Sequence, residues 1–276
     1  MICPHCALIY SPFQPDGILP IYAYYYRVSF ILDEQIGAVL RLTLNRPEKK
    51  NALTQDMYQR LADKINEAAG DFSIRAVVIN SNGDSFTAGN DINDFANDPQ
   101  MDEGSPVFNF LFAIHNFPKP LIAAGKGRAV GIGTTMLMHC DLVTANPDTQ
   151  FSMPFVSLGL VAEGGSSYNF PRLVGHAKAS EILLTGRTFS ATEALEMGLI
   201  NAVAKDELSA AMAFANEIAE QPPTAVINTK ALLKSGSHEA LNQVIKAEGI
   251  LFKLAAQSDE AQIAFMNFLT KKSKVK

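Results

Sequence analysis

A glycine-rich stretch from Gly125 to Ser167 restricts the folds open to this chain more than any other feature. Its centre holds Gly131 and Gly133, which permit close backbone approach and unusual dihedral angles. The apolar run 134–139 behind them is typical of the first turns of a buried helix. Amide N–H groups at such a helix start have no partner within the helix, so they favour a negative charge nearby.

A second turn of this kind lies upstream and directly follows a hydrophobic strand. It reads Phe86-Thr87-Ala88-Gly89-Asn90-Asp91-Ile92. Two glycine-shaped turns that each offer an N–H meet the requirement of an oxyanion hole. Glu163, near the end of the glycine-rich stretch, is then the candidate base.

Composition excludes several classes of protein. With 276 residues, 47% of them hydrophobic, the chain can bury one large core or a domain with an appendage. A net charge of −5 argues against a nucleic-acid surface, and no apolar window is long enough to span a membrane. Three cysteines cannot build a disulfide framework in a chain of this size, so we expect a soluble, cytoplasmic protein.

Residues 1–27 differ in composition from the rest of the chain. They contain Cys3-Pro4-His5-Cys6, but no preceding strand and no second ligand pair supports a redox or zinc site. The segment also lacks the charged start and long apolar centre of a signal peptide. We expect an N-terminal extension outside the core.

The next part of the chain predicts a layered α/β fold. Alternating residues over 38–44 indicate a half-buried strand, and 76–80 reads as a buried strand. Between them Thr54 is the expected N-cap of a helix that presents one apolar face and closes at Gly70.

The following elements continue the alternation of helices and strands, and the C-terminal part is predicted to be helical. We expect a helix over 107–117 and strands over 121–124, 142–145 and 151–155, the last at a sheet edge because of Pro154. A helix over 177–184 and a capping box at Ser190 come next. The C-terminal helices are expected at 206–220, 224–234, 238–257 and 259–271. The predicted organisation is thus a core over 28–205 and a helical region over 206–276, whose large apolar side chains favour oligomerisation.

Several motifs together resemble those of the crotonase superfamily, also called the enoyl-CoA hydratase/isomerase family. The match covers about residues 28–270 and rests on Leu44-Asn45-Arg46-Pro47, Asn51-Ala52-Leu53, the turn at 86–92, Pro118-Lys119-Pro120, Cys140-Asp141-Leu142 and Leu184-Thr185-Gly186-Arg187. The resemblance implies a spiral of ββα turns with an all-helical C-terminal part. It also implies an acyl-CoA thioester substrate and a homotrimer or dimer of trimers.

The resemblance assigns roles to individual residues. Asn90 and Ile132 would hold the thioester oxygen through their backbone N–H groups. Residues expected to contact the substrate or CoA are Lys50, Ala52, Ala88, Asp91, Ile92, Gly131, Thr135 and Phe155. Lys49, Lys50 and Lys119 are candidates for the CoA phosphates, or contact only water. The chemistry requires no metal or separate cofactor, and no nucleic-acid or membrane partner is expected.

Departures from the family pattern indicate which reaction is catalysed. Hydratases of this family place glutamates where this chain has Thr135 and Phe155, and neither residue is an acid or base at neutral pH. Pro154-Phe155 followed by Glu163-Gly164 and two serines resembles the peroxisomal-type Δ3,Δ2-enoyl-CoA isomerases, which use a glutamate here as sole base. We therefore expect isomerisation of 3-enoyl-CoA in fatty-acid β-oxidation, with Phe155, Val156, Leu160 and Val161 excluding water from Glu163.

Other interpretations remain open at this point. The chain could be another crotonase-family enzyme, hydratase-like or a thioesterase, or a non-catalytic acyl-CoA-binding scaffold. Glu163 itself could be a surface carboxylate that caps the helix starting near Gly164. Asp91 is expected to tie its own turn, and His115 and His139 to be hydrogen-bonded core residues.

Overall fold

Residues 29–92 and 104–273 are described by the structure, a computed structural model. The predicted extension 1–27, with its Cys3-Pro4-His5-Cys6 motif, lies outside the described residues. Most of the polar segment 94–105 also lies outside them. Within the described ranges, no helix has the combined length and hydropathy required to cross a bilayer.

Nine strands of the described chain form two sheets, and the chain passes repeatedly from one sheet to the other. The larger sheet has the order β1-β2-β3-β4-β6-β9 and is parallel except for the β1/β2 pair. Its strands are β1 (Ile31–Ile36), β2 (Val39–Leu44), β3 (Ala76–Ser81), β4 (Leu121–Gly125), β6 (Leu142–Ala145) and β9 (Ala202–Val203). The smaller sheet consists of β5 (Arg128–Val130), β7 (Gln150–Ser152) and β8 (Phe189–Ser190).

Helices fill the connections and make up the C-terminal quarter. The N-terminal half contributes α1 (Gln55–Gly70), α2 (Pro106–Asn116) and the short α3 (Ile132–Thr135). The middle of the chain contributes α4 (Ser166–Val174), α5 (His176–Thr185) and α6 (Ala191–Glu196). The last four helices are α7 (Glu207–Ala219), α8 (Pro223–Ser235), α9 (His238–Ala256) and α10 (Asp259–Ser273). The expected α/β architecture with a helical C-terminal part is confirmed.

Strand β3 is buried along its length and apolar over 76–79, because both of its faces are covered. Val77 and Ile79 face the main core, whereas Ala76 and Val78 belong to a second cluster on the other face of the sheet. That second cluster includes Ala211 and Ala215 of α7. The first helix of the predicted C-terminal region therefore packs directly on the large sheet.

Local sequence signals explain where the first helices begin. The Thr54 side chain accepts a hydrogen bond from the Met57 amide at 3.3 Å, as expected of an N-cap. The apolar face of α1 is buried, and the helix runs through Gly70, the residue at which it was expected to close. Ser105 caps α2 in the same way, and Ser190 caps α6.

The sequence expectations for five strands differ from the structure. Strand β7 was expected at a sheet edge, but it lies between β5 and β8. The strand ends at Ser152, so the missing N–H of Pro154 removes no ladder hydrogen bond. Strands β1, β5, β8 and β9 were not predicted. Strand β1 is largely exposed and polar, and the other three have only two or three residues each.

Asn51 joins the turn after β2 to the turn after β3. It is fully buried, with a positive φ of 53°. Its Oδ1 accepts from the Arg46 amide at 2.7 Å, and its Nδ2 donates to the carbonyls of Asn82 and Ser85, each at 2.8 Å. Thr87 donates its hydroxyl to the Asn51 carbonyl at 2.7 Å. One amide side chain therefore holds the residues that lead into the first glycine turn.

Replacement of Asn51 by alanine is expected to destabilise the protein strongly. Asn51→Ala removes the partner of the buried Ser85 carbonyl, of the Asn82 carbonyl and of the Arg46 amide, and we expect a loss of about 3 kcal/mol or more in the free energy of unfolding. Asn82→Ala is the matched control, because the exposed Asn82 side chain bonds only Asn45, at 2.9 Å. Urea unfolding measures both variants, and equal losses would contradict the role given to Asn51.

Candidate functional site

In the first glycine turn, the Asn90 amide points away from Leu53, the residue that pairs with this turn. Leu53 pairs with Asn90 as an isolated parallel bridge: the Leu53 amide donates to the Gly89 carbonyl and the Asp91 amide to the Leu53 carbonyl, both at 2.8 Å. The Asn90 N–H points to the opposite side. It has no hydrogen-bond partner among the described residues.

The second glycine turn begins α3. The Gly131 amide donates to the Ser152 carbonyl at 2.9 Å, which ties this turn to β7. Ile132 is the first residue of α3, so its amide precedes the hydrogen-bonded part of the helix. In the part of the chain that the structure describes, this amide likewise has no partner.

Backbone contacts place the two turns side by side. The Thr87 amide donates to the Arg128 carbonyl, and the Val130 amide donates back to the Thr87 carbonyl, each at 3.0 Å. A β-carbon at Gly89 would lie 2.9 Å from the Val130 carbonyl oxygen, so only glycine permits this approach without a shift. The predicted proximity of the two turns is therefore present in the fold.

Both turns open onto a cavity of about 540 Å³. Six of the predicted site residues line it: Ala88, Asn90, Ile92, Gly131, Ile132 and Phe155. The remaining wall is largely apolar and includes Leu158, Leu160, Phe252 and Ile263. Phe155 and Phe252 meet edge to face, with ring centroids 6.4 Å apart. A cavity with apolar walls and two adjacent amides suits a ligand that combines an acyl chain with a carbonyl oxygen.

Three of the other predicted contact residues are not among the lining residues of this cavity. Lys50 has an exposed side chain whose ammonium lies 4.0 Å from the Asp84 carboxylate. The Ala52 carbonyl accepts from Arg46 at 2.9 Å, and Asp91 forms an ion pair with Arg46 at 2.6 Å. Asp91 thus ties its own turn, as expected.

Lys119 is buried, although it was a candidate for the CoA phosphates. Its ammonium donates to the carbonyls of Ala68 and Asp71, both at 2.6 Å. Burial is also the main cause that lowers its pKa. The lysine holds the end of α1, so the phosphate hypothesis for Lys119 is wrong.

Glu163 is buried, with 3% of its surface exposed, so the hypothesis of a surface capping carboxylate is wrong. Its Oε1 accepts from the Thr135 hydroxyl at 2.7 Å, and Oε2 has no protein partner among the described residues. Neither Glu163 nor Thr135 is a lining residue of the cavity. Thr135 follows Ile132 by three residues on α3, a rise of about 4.5 Å, which brings the carboxylate close to the second amide turn.

Burial dominates the electrostatics of Glu163. Removal from water raises the pKa of its carboxyl to about 8, and the negative charge of Glu248 acts in the same direction. The Thr135 hydrogen bond opposes both by stabilising the ionised form. Val156 was expected to shield this group, but 42% of its surface is exposed.

Tyr58 binds the first amide turn and was not identified from the sequence. Its hydroxyl donates to the side-chain carbonyl of Asn90. The ring is buried, and burial followed by the negative charge of Glu163 raises the Tyr58 pKa well above its ordinary value. A tyrosine within the apolar face of α1 was the available signal, because a buried hydroxyl needs a partner.

His139 and Glu248 hold the loop that carries Glu163. His139 Nε2 lies 2.7 Å from the Gly164 carbonyl, and Nε2 is the donor because a carbonyl only accepts. Burial lowers the pKa of His139 to about 3, in keeping with its expected role as a core histidine. Glu248 accepts from the amides of Gly165 and Ser167 at 2.6 and 2.9 Å. The sequence contained no signal for Glu248, which lies on α9.

No group of three or more His, Cys, Asp or Glu residues within 29–92 and 104–273 is arranged to hold a metal ion.

Comparisons with known proteins give consistent similarities. Residues 34–275 match a family model described as enoyl-CoA hydratase/isomerase. Human enoyl-CoA delta isomerase 2 is 35% identical over 251 residues, which cover 86% of this chain and 62% of that protein, so the chain spans less than two thirds of its length. Escherichia coli 2,3-dehydroadipyl-CoA hydratase is 33% identical over 85% of this chain and 93% of its own length. The solved structure of Pseudomonas aeruginosa OdaA has a TM-score of 0.85 and 44% identity, covering 87% of this chain and 98% of that one.

The buried carboxyl of Glu163 should make stability depend on pH. Its folded pKa of about 8 lies above the ordinary glutamate value of 4.5, so its favourable contribution is complete below about pH 4.5 and is lost as pH rises through 8. Glu163→Gln has no such dependence. We therefore expect the variant to gain thermal stability relative to wild type between pH 5 and pH 9. Calorimetry measures this difference, and the exposed Glu217→Gln is the control; parallel curves for wild type and Glu163→Gln would contradict it.

Proposed function

Since the chain belongs to the enoyl-CoA hydratase/isomerase family, the crotonase superfamily, we propose that it shifts the double bond of 3-enoyl-CoA to give trans-2-enoyl-CoA in fatty-acid β-oxidation. The family acts on acyl-CoA thioesters, in agreement with the expected substrate class. The observation that carries the proposal is the buried carboxylate of Glu163, which accepts from Thr135 through one oxygen and has no protein partner among the described residues at the other.

The reaction uses the two amide turns and one base. The thioester oxygen accepts the N–H groups of Asn90 and Ile132, which stabilise the charge that develops there. Glu163 Oε2 removes a proton from C2, and the electrons pass through the C–C bonds to the thioester oxygen as a dienolate. The protonated Glu163 then returns the proton to C4, while the electrons of the dienolate form the C2–C3 double bond. No metal or separate cofactor takes part.

The surroundings of Glu163 suit this proton shuttle. A carboxyl with a pKa raised to about 8 is a stronger base than an exposed glutamate and readily gives its proton back. Phe155, Leu160 and Phe252 form apolar walls that keep water from the dienolate. We assign the acyl contacts to the cavity residues Ala88, Ile92, Gly131 and Phe155. Lys50 remains the proposed phosphate contact because its side chain is exposed, whereas Ala52, Asp91 and Thr135 support the turns and the base.

Hydration is the second candidate, supported by the similarity to the E. coli hydratase. Two carboxylates usually share that reaction in the family, and their positions hold Thr135 and Phe155 here. A hydratase of this sequence would have to use Glu163 as both base and acid. Assays with 3-enoyl-CoA and 2-enoyl-CoA over a range of chain lengths discriminate the two activities.

We also propose that the protein is a homotrimer or a dimer of trimers. The last three helices expose large apolar side chains, which an assembly would cover. They are Leu232, Leu233, Ile250, Leu251, Leu254 and Met266, each with 55–81% of its surface exposed. Analytical ultracentrifugation at micromolar concentration is expected to give a trimer or a hexamer. A monomer would contradict the proposal.

Glu163→Gln should abolish isomerisation while acyl-CoA binding persists. Glutamine keeps the size of the side chain and can still accept from Thr135, but it is not a base. Removal of a general base typically costs about 10²- to 10⁴-fold in kcat, and a sole shuttle should reach the upper end. Single-turnover kinetics and calorimetric titration with an acyl-CoA measure the two properties.

Glu260 provides the matched comparison, because it is an exposed carboxylate in the wall of the same cavity. Glu260→Gln should retain most of the activity. Loss of activity in Glu260→Gln, with retention of more than about a tenth in Glu163→Gln, would transfer the role of base to Glu260 and exclude the proposed mechanism.

A further inference from the structure

Glu248 is a buried carboxylate that the proposed reaction does not use. It lies on α9 with 6% of its surface exposed. Its two oxygens are divided between two amides: Oε2 accepts from Gly165 at 2.6 Å and Oε1 accepts from Ser167 at 2.9 Å. These amides belong to the first turn of α4, whose positive end favours a negative charge. Glu248 therefore joins α9 to a loop whose two donor residues lie 83 and 81 positions earlier in the sequence.

The loop bound by Glu248 is the one that carries Glu163. Gly165 has a φ of 76°, and a β-carbon there would lie 2.4 Å from Leu241 Cδ1 on α9. Helix α9 thus packs against the backbone of this loop as closely as glycine allows. A small shift of α9 would move Gly165, and Glu163 lies only two residues before it.

Three contacts hold Glu163, and they act on different atoms. Thr135 binds the carboxylate itself, and His139 binds the Gly164 carbonyl. Glu248 supplies the third contact by holding the amides that follow. Burial keeps the pKa of His139 near 3, so this side chain is neutral. Burial raises the pKa of the Glu248 carboxyl, whereas the hydrogen bonds from Ser167 and Gly165 lower it by stabilising the ionised form.

The charge of Glu248 also reaches Glu163. Among the described residues, Glu248 is the charged side chain whose negative field raises the Glu163 pKa, after the larger effect of burial. The other titratable groups near the base are Tyr58 and His139. The Tyr58 pKa is raised and the His139 pKa is lowered, so both stay neutral between pH 5 and 9. A titration in that interval therefore belongs to the carboxylates.

We propose that Glu248 is a positioning residue for the base: it binds the amides of Gly165 and Ser167 and so fixes the loop that carries Glu163. The inference rests on the proposed role of Glu163. It predicts that substitutions of Glu248 can change the position of Glu163 and the basicity of Glu163 separately. Glu248→Gln removes the charge and presents an amide group to one of the two N–H donors, whereas Glu248→Asp keeps the charge and shortens the reach.

The experiment measures kcat and KM for 3-enoyl-CoA against pH in both variants. In Glu248→Gln, kcat should fall about 10- to 100-fold, as for other small displacements of a catalytic group. The acid limb of its pH profile should move to lower pH, because loss of a neighbouring negative charge favours ionisation of Glu163. In Glu248→Asp, kcat should also fall, but the limb should stay near that of the wild type. Glu239→Gln, an exposed carboxylate on the same helix, is the control and should match wild type.

Two results overturn the inference. One is a Glu248→Gln variant whose kcat stays within about twofold of wild type. The other is an acid limb that stays in place or moves to higher pH. If Glu248→Gln does not fold, Glu248→Asp decides alone: a lowered kcat with an unchanged limb supports the inference, and an unchanged kcat overturns it. The activity of Glu163→Gln distinguishes failure of this inference from failure of the proposed function. If Glu163→Gln remains active, the proposed function itself is wrong. If it is inactive, the results for the Glu248 variants decide the inference.

Discussion

The backbone pairing of Thr87 with Arg128 and Val130 is the contact on which the site depends. It joins the turn after β3, in the large sheet, to β5 in the small sheet. The backbones of the first glycine turn and of β5 approach closely because Gly89 has no β-carbon. A β-carbon there would meet the Val130 carbonyl. The amides of Asn90 and Ile132 therefore reach the same cavity from different sheets. Asn51 keeps this arrangement in register from the other side of the first turn.

The buried carboxylate of Glu163 shows how stability and the proposed chemistry oppose each other. A carboxylate removed from water is costly in its ionised form, yet the same removal produces a base with a pKa near 8. The surrounding contacts limit the freedom of the group without neutralising it. Thr135 provides a single hydrogen bond, and the remaining contacts go to the backbone of the loop. This is the pattern expected where activity requires a group that folding alone would not favour.

Thr135 illustrates how one position can change its role within a family. By the resemblance described above, hydratases place a glutamate there. In this chain the hydroxyl donates to Glu163 and so supports the carboxylate that is proposed as the base. Similarity at 33–35% identity to both an isomerase and a hydratase agrees with a shared scaffold in which such single positions decide the reaction.

Elements governed by local rules were predictable from the amino-acid sequence. Periodicity and capping predicted the helices around Thr54 and Ser190, glycine spacing predicted both amide turns, and the motif after Pro154 indicated Glu163. Short or exposed strands such as β5 were not predicted from the sequence, because three residues are too few to show a periodic pattern. The central position of β7 in its sheet was not predicted either, since pairing on both sides depends on strands that are distant in the chain.

Tertiary structure alone created the surroundings of the site. It buried Glu163 and Lys119, and it brought Tyr58 to Asn90 and Glu248 to the loop of the base. Burial and electrostatic coupling arise from contacts between segments tens of residues apart, and no local pattern in the chain encodes such contacts.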